Sequence, residues 1–222
     1  MPLPAVQAAL RQQFGRWGLP GCLRVDNGVP WGTFNDLPTA FALWVVGLGV
    51  QWHWNDPCCP QQNPKVERSQ GTAKRWCEPS RCGSVAELQA RLDEADRLQR
   101  EEYPTRGGSS RWELFPALRH SGRRYSLAWE RRCWNLHRVE DHLAEYVAVR
   151  RVGANGNVGV YDRVRYVGRQ YAGQHVLVQY DPQAHDWLIA DERGRELRRQ
   201  AAPEICRVEI VKMTFGKTTK SS

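Results

Sequence analysis

Two acidic motifs in this sequence contain residue types that bind divalent metals. Asp26-Asn27-Gly28 follows a short apolar segment, and Glu67 lies on a segment with helical periodicity. Mg²⁺ prefers carboxylate oxygens and keeps several water molecules, and paired metal ions stabilise the attacking and leaving oxygens of phosphoryl transfer. We therefore predict that Asp26 and Glu67 are catalytic, metal-binding residues for chemistry on DNA.

Each motif by itself also has an ordinary structural interpretation. Asp-Asn-Gly is typical of a surface turn, and an exposed helical glutamate such as Glu67 commonly pairs with a neighbouring Arg or Lys. The occurrence of both motifs, in this order, favours the metal-binding interpretation.

Four segments must position the two carboxylates. Apolar residues three and four positions apart predict a helix over residues 4–17. Short apolar or alternating segments predict strands over 22–25 and 49–54, and a further helix over 63–77 carries Glu67. The Asn-Gly turn lets the chain leave the first strand sharply, so its acidic residue can face a cleft at the carboxyl ends of the strands.

Two helix starts are also indicated by the sequence. Asp36 is predicted to cap a helix that has Pro38 in its first turn. Ser84 and Glu87 have the spacing of a capping box, and the helix that they begin is predicted to end near Glu102.

The charge of the chain favours a polyanionic partner, with DNA first. The 222 residues include 32 Lys+Arg and 24 Asp+Glu, which gives a net charge of +8. A solvated basic surface is the alternative. The residues predicted to bind DNA are Lys65, Arg68, Lys74, Arg75, Arg123, Arg124, Arg131 and Arg132.

Half of these residues fall in an arginine-rich linker predicted over 105–142, where aromatic residues are interleaved with the arginines. Such a segment could lie along a phosphate backbone. It could equally be a surface linker whose aromatic side chains pack on a neighbouring domain.

The rest of the chain has an all-β pattern. Short strands and turn signals between about 143 and 206 predict a small closed barrel. The seven cysteines have no secreted-framework spacing, no signal peptide is recognisable, and no apolar run approaches the length of a membrane span. We therefore predict a cytoplasmic protein with free thiols and no membrane partner.

Residues from about 3 to 103 resemble the second half of the retroviral-integrase-like catalytic core of bacterial transposases. Forty residues separate Asp26 from Glu67, near the spacing of such cores. Residues from about 110 to 206 are similar to the tail of these transposases. The resemblance is carried by Asp26, Asn27, Gly28, Pro30, Asn63, Lys65, Glu67, Arg68, Gly71 and Thr72, and in the tail by 151–161, 166–173 and the strand with Trp187.

The resemblance implies an α/β fold, a partial ribonuclease-H-like core followed by an all-β SH3-like barrel. The implied activity is DNA cleavage and joining, with Mg²⁺ (or Mn²⁺) held by an Asp-Asp-Glu triad. Asp26 would be the second member of this triad and Glu67 the third. The implied regions are 1–104 for the C-terminal half of the core, 105–142 for the linker, 143–206 for the barrel and 207–222 for a partly disordered tail.

One member of the family's triad has no counterpart here, because residues 1–25 contain no Asp or Glu. We therefore expect an N-terminally truncated transposase that is inactive alone and in which no metal need bind. Its expected partners are DNA and either a second copy of the chain or a full-length transposase. The alternatives are a non-catalytic DNA-binding module and a transposase assembly domain.

Overall fold

The chain has a mixed α/β fold, as the sequence predicts. The computed structural model describes residues 2–28, 31–32, 36–57 and 64–213. Two compact units can be distinguished, and each is described by itself below. The sheet unit consists of Met1–Gln12, Pro20–Pro57 and Ser126–Ser222, and the helical unit consists of Gln13–Leu19 and Cys58–Tyr125.

The sheet unit contains a parallel strand pair joined by a buried helix. Strand β1 (Cys22–Val25) pairs with β2 (Gln51–Trp54), and Val25 lies opposite Trp54. Helix α2 (Ala40–Gly47) connects them, and all its residues are buried, as expected for a helix that is apolar on every face. Helix α1 (Leu3–Trp17) precedes β1 and contributes residues 3–12 to this unit.

The predicted cap of α2 is wrong. Thr39 caps this helix, because its hydroxyl accepts a hydrogen bond from the Ala42 N–H at 3.2 Å. Leu37 precedes Pro38, and helical backbone angles are disfavoured for a residue before proline. The helix therefore begins only after Pro38. Asp36 instead accepts a hydrogen bond from the Leu37 N–H at 2.7 Å and pairs with Arg150.

Six antiparallel strands follow in the sheet unit between residues 147 and 201. They are β3 (Val147–Arg151), β4 (Asn157–Val160), β5 (Arg163–Tyr166), β6 (His175–Asp181), β7 (Asp186–Ala190) and β8 (Glu196–Ala201). Four of them form one sheet, in the order β3-β6-β7-β8, and β4 pairs with β5. Among the described residues, these ladders do not join into a closed barrel, so the barrel stays a prediction.

Three further α-helices of the sheet unit lie within the described residues. They are α6 (Leu127–Cys133), α7 (Leu136–Ala144) and α8 (Arg207–Lys212). Trp134, between α6 and α7, is 4% exposed and donates a hydrogen bond from its indole to the Trp44 carbonyl at 2.9 Å. Part of the predicted linker is therefore packed on α2. Residues 214–222 of the predicted tail lie outside the described residues.

The helical unit is built on α3 (Pro64–Cys77), α4 (Val85–Glu101) and α5 (Arg111–Leu114). The Ser84 hydroxyl caps α4 by accepting from the Glu87 N–H at 3.1 Å, as predicted. The reciprocal bond of the predicted capping box differs from the prediction: the Glu87 carboxylate accepts not from the Ser84 N–H but from the Gly83 N–H, at 2.8 Å. That bond, followed by one from Arg91, holds the pKa of Glu87 below its usual range.

Within the described ranges, no helix combines the length and the apolar composition that a bilayer crossing requires.

Candidate functional site

Asp26 lies where the parallel strands β1 and β2 end side by side. It is exposed and directly follows β1, while Asn55 and Asp56 follow β2. The ladder continues one step beyond the strands, because the Asn55 N–H donates to the Val25 carbonyl at 2.8 Å. This register places Asp26, the first residue after β1, beside Asn55, the first residue after β2. The sequence therefore predicts correctly that Asp26 follows a strand, at its carboxyl end.

Two side-chain amides hold the strand ends together. The Asn55 amide donates to Asp26 Oδ1 at 2.6 Å, and the Asn27 amide donates to the Asn55 carbonyl oxygen at 2.7 Å. A hydrogen bond to a carboxylate is stronger than one between neutral groups. The pair of bonds therefore fixes the direction of the Asp26 carboxylate relative to both strands.

The turn after Asp26 depends on glycine. Gly28 has φ +118°, a conformation that side-chain-bearing residues rarely adopt. It exchanges two backbone hydrogen bonds with Gly32, at 2.7 and 2.9 Å. Pro30, which also carries the resemblance, lies outside the described residues.

Aromatic packing fixes β2, the strand that directly precedes Asn55. Trp52 and Trp54 point into the unit and are 4% and 8% exposed, and their rings lie 5.9 Å apart. Tyr146 packs edge-on against Trp54 at 5.9 Å, and its burial raises the pKa of its phenol to about 12. Asn55 itself is 3% exposed, and its side-chain oxygen has no hydrogen-bond partner among the described residues.

The strand ends provide oxygen donors of the type that Mg²⁺ binds. Asp26 offers a carboxylate. Asn55 offers a buried amide oxygen, and the amide nitrogen of the same side chain orients the Asp26 carboxylate. One carboxylate is too few for a catalytic site that binds two metals. In the described part of the chain, no group of three His, Cys, Asp or Glu side chains is suitably placed to hold a metal.

Glu67 lies in the first turn of α3, in the helical unit, and is exposed. A carboxylate there is stabilised by the positive end of the helix dipole. Asp26 belongs to the sheet unit, so the pairing of the two carboxylates at one metal stays a prediction.

Four of the basic residues predicted to bind DNA lie on α3, and the structure describes the side chains of three of them. Arg68, Lys74 and Arg75 are all exposed, while the Lys65 side chain and the whole of Asn63 lie outside the described residues. At 100° per residue, Lys74 lies on the same face of α3 as Glu67. Arg68 and Arg75 share the adjacent face.

The other four predicted residues are also exposed but are divided between the units. Arg123 and Arg124 lie just before Tyr125, the last residue of the helical unit, and the Arg123 carbonyl accepts from the Leu19 N–H at 2.8 Å. Arg131 and Arg132 lie in the last turn of α6, and the Arg131 carbonyl accepts from Arg207. Their positions favour neither DNA binding nor solvation.

Asn55 is the residue that the sequence reasoning did not identify. Its signal was an Asn-Asp pair directly after an alternating strand, which matches the position of Asp26-Asn27 after β1. Only the parallel pairing of the strands shows that the two dipeptides are neighbours.

No known protein-family model matches this sequence.

Proposed function

We propose that this chain is a transposase- or integrase-type protein of DNA integration. In this proposal, β1, α2, β2 and α3 belong to a ribonuclease-H-like core, and β3–β8 form an SH3-like barrel. Asp26 and Glu67 are two of the three carboxylates of a site for Mg²⁺ or Mn²⁺. The site supports DNA strand transfer when the third carboxylate is present.

The observation that carries the proposal is the arrangement at the carboxyl ends of β1 and β2. A parallel strand pair with a buried connecting helix is typical of α/β folds, whose sites lie at this edge. There the Asn55 amide holds the Asp26 carboxylate at 2.6 Å. The resemblance of the Asp26 and Glu67 motifs supports the identity of the chemistry.

The donor set fits a hard cation in part. Asp26 and Glu67 would hold it through carboxylate oxygens, and Asn55 would orient Asp26. Bound Mg²⁺ would supply positive charge to the DNA phosphate and to the attacking oxygen. Residues 1–25 contain no acidic side chain, so we expect no strand transfer by this chain alone.

Localised cleavage by Fe²⁺ tests whether the two carboxylates share a metal. Fe²⁺ that replaces Mg²⁺ is oxidised to Fe³⁺ by added hydrogen peroxide, which is reduced to hydroxide and a hydroxyl radical, and added ascorbate restores Fe²⁺. The radicals cut the protein backbone close to the bound ion. We expect cuts near both Asp26 and Glu67, suppressed by excess Mg²⁺, and Asp26→Asn should reduce both. Asp93→Asn, an exposed carboxylate on α4, is the matched control and should leave the cuts unchanged.

Cuts at only one of the two segments, or cuts that Mg²⁺ does not suppress, would contradict the shared site. Mg²⁺-dependent strand transfer by the purified chain, abolished by Glu67→Gln, would contradict the expectation that it is inactive alone.

A non-catalytic DNA-binding module is the second candidate function. It is favoured by the arginines of α3, because Arg68 and Arg75 are exposed and have no ion-pair partner within the described ranges. This function requires DNA affinity that survives Asp26→Asn and Glu67→Gln. Loss of affinity in both variants would exclude it.

A further inference from the structure

The helical unit contains a cleft of about 730 Å³ between α3, the end of α4 and α5. Its lining includes Arg68, Arg75 and Trp76 from α3, Tyr103 just after α4, and Arg111 from α5. All of these residues belong to the same unit, so the cleft is formed by that unit alone.

The three arginines of the cleft bring positive charge that the described residues do not neutralise. None of the described lining residues is acidic, and within the described ranges Arg68, Arg75 and Arg111 form no ion pair with a carboxylate. One Arg111 guanidinium N–H donates to the Gln99 carbonyl, which holds that side chain at the cleft.

The three arginines of α4 have carboxylate partners, unlike those of the cleft. Arg91 pairs with Glu87 at 2.8 Å, Arg97 with Glu94 at 2.8 Å, and Arg100 with Asp96 at 3.0 Å. Guanidinium groups form strong forked hydrogen bonds with carboxylate and phosphate oxygens alike. Arginines left without carboxylates around one cleft therefore favour an anion with several oxygens.

Aromatic rings lie beside this charge. Trp76 and Tyr103 are 37% and 51% exposed, and their ring centroids are 5.4 Å apart at an interplanar angle of 54°. Exposed aromatic side chains beside basic residues are the combination that proteins use to bind single strands, because every unpaired base offers a face for stacking. Bases inside a duplex already stack on each other and cannot use such rings.

The cleft is separate from the carboxylate face of the same helix. Arg68 and Arg75 are seven residues apart and span about 10 Å along α3, on a face turned about 100° from that of Glu67. A strand in the cleft would therefore lie beside the proposed metal-binding face without occupying it.

We propose that this cleft binds an unpaired segment of a nucleic acid strand. Its phosphates lie among Arg68, Arg75 and Arg111, and a base stacks on Trp76 and Tyr103. This binding goes beyond the proposed metal chemistry and requires no metal.

Fluorescence anisotropy with a labelled oligothymidine and the full chain, in EDTA, tests the proposal. The double variant Arg68→Ala/Arg75→Ala should weaken binding, and the slope of log Kd against log salt concentration should fall by about 1.4, or about 0.7 for each lost phosphate contact. The control Arg81→Ala/Arg106→Ala removes the same charge from exposed positions of the same unit and should leave the slope unchanged.

The aromatic contribution is tested separately. Trp76→Ala should weaken binding of the single strand by about fivefold to a hundredfold, the range for loss of one stacking ring. It should leave binding of a duplex of the same length unchanged. Trp76→Phe keeps an aromatic face and should recover most of the affinity, which separates stacking from a general loss of fold.

Equal losses in the cleft and control double variants would overturn the proposal, and so would equal effects of Trp76→Ala on single strand and duplex. Because EDTA is present, these outcomes do not depend on the metal site. Failure of the Fe²⁺ cleavage test would leave them unaffected.

Discussion

Replacement of Gly47 by alanine sets two opposing effects against each other. Gly47 is the last residue of α2, and alanine in a helix is favoured over glycine by about 1 kcal/mol. A Cβ on Gly47, however, would lie 2.6 Å from Cζ2 of Trp134 and closer still to Cε2 and Nε1. Carbon atoms normally pack about 3.5–4.0 Å apart, so the indole would have to move by roughly 1.5 Å.

The indole has little room to move. Trp134 is 4% exposed, and its Nε1–H donates to the Trp44 carbonyl at 2.9 Å. The next residue, Asn135, donates its N–H to the Gly47 carbonyl at 3.0 Å. Overpacking of a buried site costs about 1–3 kcal/mol, and loss of the indole hydrogen bond costs about 1 kcal/mol more. After the gain in helix propensity, Gly47→Ala should reduce the free energy of unfolding by about 1–3 kcal/mol.

Urea denaturation followed by circular dichroism measures this difference. Gly15→Ala is the matched control, because Gly15 is an exposed residue of α1 and a Cβ there would meet no atom within 4 Å. That variant should be stabilised by about 0.5–1 kcal/mol. Two alanine substitutions in helices should therefore shift the midpoint in opposite directions.

A Gly47→Ala variant as stable as the wild type would refute the packing of Trp134 on α2. That result would also favour the interpretation of residues 105–142 as a free basic arm. Destabilisation would support the alternative, in which aromatic residues of this segment pack on the folded chain and its arginines remain at the surface.

Two further predictions concern buried charge in the sheet unit. Glu204→Ala should destabilise the chain by about 3–5 kcal/mol in urea denaturation. Glu204 and its partner Arg165 are 0% and 4% exposed, so the guanidinium would be left buried and unpaired, and the buried Trp187 indole, which donates to Glu204 at 2.8 Å, would lose its acceptor. A variant of wild-type stability would contradict the buried pair. Burial lowers the pKa of His142 in the folded chain, and His53 adds to this shift while Glu145 opposes it. In the unfolded chain the same histidine has an ordinary pKa near 6.5, so the unfolded chain takes up the proton at a higher pH. The contribution of His142 to stability should thus be fully present above about pH 6.5 and lost as the pH falls through the folded pKa. His142→Gln should therefore reduce the difference between the urea midpoints measured at pH 7.5 and 5.5. An unchanged difference would contradict this role of His142.

Local sequence patterns were sufficient for most of the helices and strands. The periodicity of 4–17 and 63–77 and the turn signals between 143 and 206 depend on residues close together in the sequence, and the structure places helices and strands there. These are the features that local propensity and side-chain alternation determine. Fold class could therefore be predicted at the level of mixed α/β.

Features that depend on distant residues could not be predicted. The Asp36 cap is wrong because Asp36 pairs with Arg150, more than a hundred residues away, and Thr39 offered an equally suitable hydroxyl. Asn55 orients Asp26 only because β1 and β2 are parallel and in register. No local pattern contains that information, although both dipeptides were visible in the sequence.

Metal binding and nucleic acid binding depend on different residues of this chain, although the resemblance implies both. Metal chemistry at Asp26 requires further carboxylates, and the Asn55 amide donates a hydrogen bond to Asp26 Oδ1 at 2.6 Å. The cleft requires only Arg68, Arg75, Arg111 and the rings beside them, all within one unit. Binding of a nucleic acid strand therefore depends on fewer conditions than catalysis does. Variants of the cleft and of the carboxylates should consequently affect binding and metal occupancy independently, which makes the two proposals separable by experiment.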